Sequence, residues 1–144
     1  MENRAFTLLV GVVYLALGIC GMIPPLRGLS PYWTEPPPAV SLGYGFLFSI
    51  FAVNVVSVLV FVAIGVGGLV AAFKLRSSRV FERTLFTVSI IFAILGCMPA
   101  VSRGPMPLYG WTDGLFMMTA LLSFYFAFVE GPYPALLNQP VRHH

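Results

Sequence analysis

The sequence predicts an all-α membrane protein: four transmembrane helices arranged as two repeated hairpins, both termini inside, with a short outer interfacial segment before helix 2. Three observations predict it. No charged residue falls between Arg4 and Arg27, nor within residues 36–73, 84–102 or 114–129. Burying charge in hydrocarbon is so unfavourable that long charge-free apolar segments read as membrane spans. The composition agrees, with 58% hydrophobic, 15% aromatic and only 9% charged residues, and a mean hydropathy of +0.91. Finally, the basic residues gather on alternate connections, as the orientation rule for membrane helices requires. The 144 residues make a single domain, 1–144, with spans at about 6–23, 54–73, 84–98 and 111–129.

Span 1 (6–23) is closed by Pro24 and Pro25, which cannot continue a helix. It is expected to be a retained span and not a cleaved leader: its apolar run exceeds a signal core, and Ile19 before Cys20 is too large for lipoprotein cleavage. Loop 1 (26–42) carries Pro31, Tyr32, Trp33 and the run Pro36, Pro37 and Pro38, which suit a stiff segment in the headgroup layer. Residues 43–53 read as an interfacial or re-entrant piece, because joining them to span 2 would give a helix far longer than the bilayer. Span 2 (54–73) leads into a basic loop with Lys74, Arg76, Arg79 and Arg83. Span 3 (84–98) stops at Pro99, and loop 3 covers 100–109. Span 4 (111–129) ends at Glu130, Gly131 and Pro132, before an irregular tail.

Orientation follows from the basic residues. With both termini inside, Arg4, Lys74, Arg76, Arg79, Arg83 and Arg142 are cytoplasmic, and Arg27 and Arg103 lie outside. The net charge of +3 therefore reflects topology and not a nucleic-acid partner. The chain also repeats itself. Gly21-Met22-Ile23-Pro24 matches Gly96-Cys97-Met98-Pro99, and Phe51-Ala52-Val53-Asn54 parallels Met106-Pro107-Leu108-Tyr109. Two hairpins of the same orientation relate by an axis along the membrane normal.

The chain resembles the small bacterial membrane proteins of the DUF4383 family. The resemblance rests on LLVGVVYLALGICGMIP (8–24), GYGFLFSIFAVN (43–54), GVGGLVAA (65–72), ILGCMPA (94–100) and MPLYGWTD (106–113). It implies a four-span bacterial inner-membrane protein and carries no catalytic signature. Members of that family often hold histidine in the first turns of span 2. Residues 55–60 here contain none, so no metal or haem role carries over to these positions.

Few residues bear chemistry. Cys20 and Cys97 stand near the outer helix ends, where a bridge is conceivable but two unpaired apolar thiols are the expectation. Asn54, Ser57, Thr112 and Asp113 sit at the outer starts of spans 2 and 4. They either line a polar pocket between the hairpins or cap the helix starts, with Asn54 and Thr112 or Asp113 accepting unpaired N–H groups. Glu82 is expected to be a solvated member of the basic loop, the alternative being a gating carboxylate. His143 and His144 lack companion ligands. Gly11 and Gly18, Gly68 and Ala72, and Ala93 and Gly96 have the spacing of close helix packing, within one chain or between copies.

No nucleophile–base set, metal constellation or phosphate loop is present, so neither enzyme nor cofactor is expected. The expected function is a non-catalytic scaffold, assembly factor or accessory subunit of a membrane complex. The alternative is a small oligomeric transporter, disfavoured because no carboxylate is expected within a span. The expected partners are the lipid bilayer and other membrane subunits or further copies of the chain.

Overall fold

A computed structural model describes residues 2–28, 42–73, 75–102 and 104–129. Tyr32, Trp33 and the prolines of loop 1, Lys74, Arg103, and the tail from Glu130 through His143 and His144 lie outside the described residues.

Helix α1 spans Glu2–Met22 and ends where Pro24 and Pro25 impose a single 3-10 turn, Pro24–Leu26. Three short strands follow: β1 (Arg27–Gly28), β2 (Gly45–Leu47) and β3 (Phe51–Val53), paired antiparallel in that order. The segment 43–53, expected as an interfacial or re-entrant piece, holds a β-hairpin, and the fold carries a small sheet beside its helices. All three β2 residues are buried, so the apolar/polar alternation that marks a half-exposed strand is missing from the sequence. The hairpin turns at Phe48 and Ser49, both left-handed, with φ of 53° and 59°.

Helix α2 (Val55–Phe73) is separated by one residue from α3 (Leu75–Gly96). The expected basic loop is therefore mostly helix: Arg76, Arg79 and Arg83 stand on α3. No Gly or Pro interrupts residues 75–84, and Leu, Arg and Glu are good helix formers, so charge sets the depth of this segment without breaking it. The four-residue α4 (Pro99–Ser102) and a loop lead to α5 (Trp111–Phe124), which continues as a π-helical turn, Tyr125–Val129.

Helix α1 packs chiefly on α2, and α3 on α5, with α2 against α3 next in extent. One ring from each of these long helices meets at the centre. Phe116 of α5 lies 6.1 Å from Phe61 of α2, 6.3 Å from Tyr14 of α1 and 5.0 Å from Phe92 of α3, measured between centroids. These tilted geometries suit aromatic quadrupoles.

The outside of the bundle is apolar, and inside it polar side chains are buried among an apolar core. Thr7, Asn54, Ser57, Glu82, Ser89, Thr112 and Ser123 are fully buried, while Leu9, Phe73, Leu121 and Trp111 are more than 60% exposed. Three helical stretches, Arg4–Met22, Val55–Phe73 and Trp111–Val129, are long and apolar enough to cross a membrane. Helix α3 has the length, at 22 residues, but carries Arg79, Glu82 and Arg83 in its first half.

Candidate functional site

The polar side chains lie in three layers along the bundle. The first layer joins α1 to α3: the Thr7 hydroxyl donates to Glu82 Oε1 at 3.0 Å, with both residues fully buried. The expectation of a solvated Glu82 is thereby overturned. Ser78, Glu82, Leu85, Ser89 and Ala93 are all buried, and their spacing of four, three, four and four residues forms one stripe facing the bundle. Two serines and a glutamate on that stripe hide it from an apolar-periodicity reading. Ser78 completes the layer by donating to the Ala71 carbonyl at 3.1 Å.

The middle layer joins α1 to α5. Tyr14, 1% exposed, has its hydroxyl 2.7 Å from Thr119 Oγ1. Thr119 gives its own proton to the Leu115 carbonyl at 2.7 Å, so Tyr14 is the donor of the pair. An unpaired phenol in this apolar layer would be strongly unfavourable.

The third layer holds Asn54, Ser57 and Thr112. Asn54 Oδ1 accepts the Ser57 N–H at 3.0 Å and its hydroxyl at 3.2 Å, which caps the start of α2. Asn54 Nδ2 donates across the bundle to the Pro105 carbonyl at 2.7 Å. Thr112 works in the opposite direction, donating from α5 to the Ala52 carbonyl at 2.9 Å. Each of these two helix starts is thus tied to the connection that precedes the other.

The expected cap from Thr112 or Asp113 does not form. The N-cap of α5 is Gly110, at φ 62°, without a side-chain hydrogen bond, because the helix already begins at Trp111. Asp113 packs instead against Gly96, and its buried Oδ1 has no hydrogen-bond partner among the described residues. The hydroxyls of Tyr44 and Tyr109 hydrogen-bond to each other beside this layer.

The small residues are unevenly used. A Cβ added to Gly11 would stand 2.7 Å from the Leu69 nitrogen, and one on Gly68 2.8 Å from the Gly11 Cα. Gly65, which the spacing argument missed, is tighter still: its Cβ would lie 2.5 Å from the Leu15 nitrogen. The backbones of α1 and α2 are therefore in direct contact, where the spacing of Gly65, Gly68 and Ala72 gave a legible signal. Gly18 lies against Val62, Gly96 against Asp113 and Leu108, and Ala72 and Ala93 are buried. Cys20 is half-buried and Cys97 exposed, both as free thiols.

Lateral grooves flank the core. One, of about 540 Å³, separates α1 from α5 and is lined by residues such as Phe6, Val13, Met118 and Leu122. A second, of about 340 Å³, separates α2 from α3, with Val60, Ala63, Phe81 and Val88 on its walls. A third, of about 290 Å³, lies between α3 and α5, with Phe86, Ile90, Met117 and Leu121 on its walls. The walls of all three are almost wholly hydrocarbon. Among the described residues, no three His, Cys, Asp or Glu side chains come together as a metal site would require.

Comparison with known proteins adds one fact about kinship. The family model described as "Domain of unknown function (DUF4383)" matches residues 4–129. No curated protein and no solved structure matches the chain.

Proposed function

The chain belongs to the DUF4383 family, and from that premise we propose that this multi-pass membrane protein is a non-catalytic scaffold, assembly factor or accessory subunit of a bacterial inner-membrane complex. The observation that carries this reading is the use made of the polar side chains. Thr7, Tyr14, Asn54, Thr112 and Thr119 all bind other parts of the bundle, so these side chains serve to join its elements. The outward surface is apolar and suited to lipid and to neighbouring helices.

Four spans with both termini inside complete the proposal. Helix α3 crosses as the fourth span, its first turns at the cytoplasmic headgroups, where Arg79 and Arg83 reach water. A two-fold repeat of hairpins supports this arrangement. The register that lays Gly21–Pro24 on Gly96–Pro99 also lays Thr7 on Glu82, the two residues that hydrogen-bond to each other. The register that lays Phe51–Asn54 on Met106–Tyr109 lays Phe61 on Phe116, which are in ring contact. Residues that touch their own counterparts are what an axis between the halves produces. The first two grooves follow the same registers: Phe6, Val10 and Val13 fall on Phe81, Leu85 and Val88, and Leu115 and Met118 fall on Val60 and Ala63.

Gentle extraction from the native membrane followed by native mass spectrometry tests the function. Reproducible co-purification with other subunits is expected, and a solitary species that moves a solute in vesicles would refute it.

One observation favours transport as the second reading. Glu82 is a fully buried carboxylate within the bundle, the kind of group that couples protons to solute movement. Proton-driven uptake abolished by Glu82→Gln would move the function to a small oligomeric transporter.

A further inference from the structure

We propose that Ser89 of α3 and Ser123 of α5 form a buried binding site for water, and that the water they share ties these two helices together. The site goes beyond the scaffold reading, which uses neither serine.

The two serines are exceptions among the buried hydroxyls. Both are 0% exposed, and their Oγ atoms have no hydrogen-bond partner among the described residues. The buried hydroxyls of Thr7, Ser57, Ser78, Ser102, Thr112 and Thr119 all have one. Nor do the two serines take the acceptor that their own helices offer. Thr84 and Thr87 on α3, and Thr119 on α5, donate to the carbonyl four residues earlier. Ser89 and Ser123 do not return to the Leu85 and Thr119 carbonyls in this way. A buried hydroxyl without a partner is unfavourable, and ordered water is the ligand that commonly satisfies it.

Their placement brings them to one level of the same interior. On α3, Ser89 belongs to the buried stripe that carries Glu82, which reaches α1 through Thr7. On α5, Ser123 belongs to the buried stripe of Phe116, Thr119 and Ala127, and both Phe116 and Thr119 meet Tyr14 of α1. The ring contacts of Phe86 with Phe124 and of Phe92 with Phe116 set the register of these antiparallel helices. Halfway between those pairs, Ser89 stands level with Ala120, three residues from Ser123. That separation is about 4.5 Å along the axis, at about 1.5 Å per residue. One water bridges oxygens about 5–6 Å apart, lying about 2.8 Å from each. Ala120 puts only a methyl at the Ser89 level of α5, and a water needs room for about one probe sphere.

The bridge also supplies what this helix pair lacks. Helices α3 and α5 pack extensively, yet the side-chain hydrogen bonds described within the bundle join α1 to α3, α1 to α5 and α2 to α3. Water both donates and accepts, which suits two hydroxyls that can each do either.

Water-edited solid-state NMR of protein carrying isotope-labelled serine, in lipid bilayers, reads the ligand directly. Polarisation should pass from water to Ser89 and Ser123 and not to Ser57, which is equally buried but bonded to Asn54. Ser89→Ala should extinguish the transfer to Ser123, and Ser123→Ala the transfer to Ser89. Dark Ser89 and Ser123 signals in the wild type overturn the proposal. So does transfer to Ser123 that survives Ser89→Ala.

Thermal unfolding in one detergent gives an independent reading. Ser89→Ala and Ser123→Ala should each melt below the wild type, because each removes one anchor of the bound water. The double variant should melt no lower than the lower of the two, since the second change has no bridge left to break. A higher melting temperature for either alanine variant means that an orphaned hydroxyl was removed, and overturns the proposal. Additive losses mean two unconnected serines and overturn it equally.

Discussion

Thr7 and Glu82 hydrogen-bond across the helix bundle at 3.0 Å, 75 positions apart in sequence and both closed to solvent. A carboxylate in this position holds α1 to α3 only while a donor faces it. Replacing Thr7 by Val keeps the shape and removes the donor, so Thr7→Val should lower stability by about 1–3 kcal/mol, the range for a bond to a buried polar or charged acceptor. Glu82→Gln retains an oxygen acceptor and should lose less. Thermal unfolding in detergent, followed by far-ultraviolet circular dichroism, ranks the two. A Thr7→Val protein as stable as the wild type would mean that this contact holds nothing.

The glycine contact between α1 and α2 makes a sharper demand. A methyl on Gly65 would press on the Leu15 backbone, which no side-chain rotation relieves, and overpacking of this kind destabilises by about 1–3 kcal/mol. Gly65→Ala should therefore unfold at lower temperature than the wild type, and Gly65→Val lower again. Gly114→Ala is the matched control, because nothing lies within 4 Å of its added Cβ and alanine favours the helix. Equal melting of Gly65→Ala and Gly114→Ala would refute direct backbone contact.

The β2–β3 turn stores strain at two non-glycine residues. Phe48 and Ser49 both occupy the left-handed region, where an L side chain costs about 1–2 kcal/mol. Glycine relieves that cost, so Ser49→Gly should raise the melting temperature even though it removes a side chain. Ala at the same position should not. A fall in stability with Ser49→Gly would show that the serine side chain contributes more than its backbone strain.

Asn54 performs two tasks that substitution can separate. Asn54→Asp keeps the oxygen that caps α2 and loses the Nδ2 donor to Pro105, whereas Asn54→Ala loses both. The alanine variant should be destabilised by about 1–2 kcal/mol from the cap alone, with the cross-bundle bond in addition. Hydrogen exchange at Ser57 reads the cap directly: protection should fall in the alanine variant and persist in the aspartate variant. Exchange at Ser57 unchanged by alanine would remove Asn54 from the capping role.

How far the sequence could be read depended on how loudly each residue advertised its place. The apolar helices announced themselves through absent charge, and the closing prolines of α1 marked its end within a residue or two. Residues 43–53 gave no strand signal, because β2 is covered on both faces and its turn lacks glycine. Glu82 misled because its neighbours Arg79 and Arg83 are charged. Helical spacing from Ser78 to Ala93 places it on the buried stripe, but serines at two of the other positions made that stripe look polar. Thr112 and Asp113 have the chemistry of caps, but α5 starts at Trp111 with Gly110 as its N-cap, so both already lie inside the helix.

Tyr14 shows why such a bundle uses polar groups at its centre. Aromatic rings from two other helices, Phe61 of α2 and Phe116 of α5, meet it, and their packing alone would allow α1 to slide along α5. The hydroxyl contact with Thr119 fixes that register. Tyr14→Phe deletes the bond while preserving the ring, and Thr119 keeps its own donation to Leu115, so no new unpaired donor is created. The expected loss is about 0.5–1.5 kcal/mol, the net worth of a neutral hydrogen bond. Thr119→Val removes the acceptor and leaves the phenol of Tyr14 buried without a partner, which should be the more damaging change. Melting temperatures of the two variants in one detergent decide the point. The order Thr119→Val below Tyr14→Phe below wild type is expected, and the reverse order for the two variants would mean that the phenol finds another acceptor.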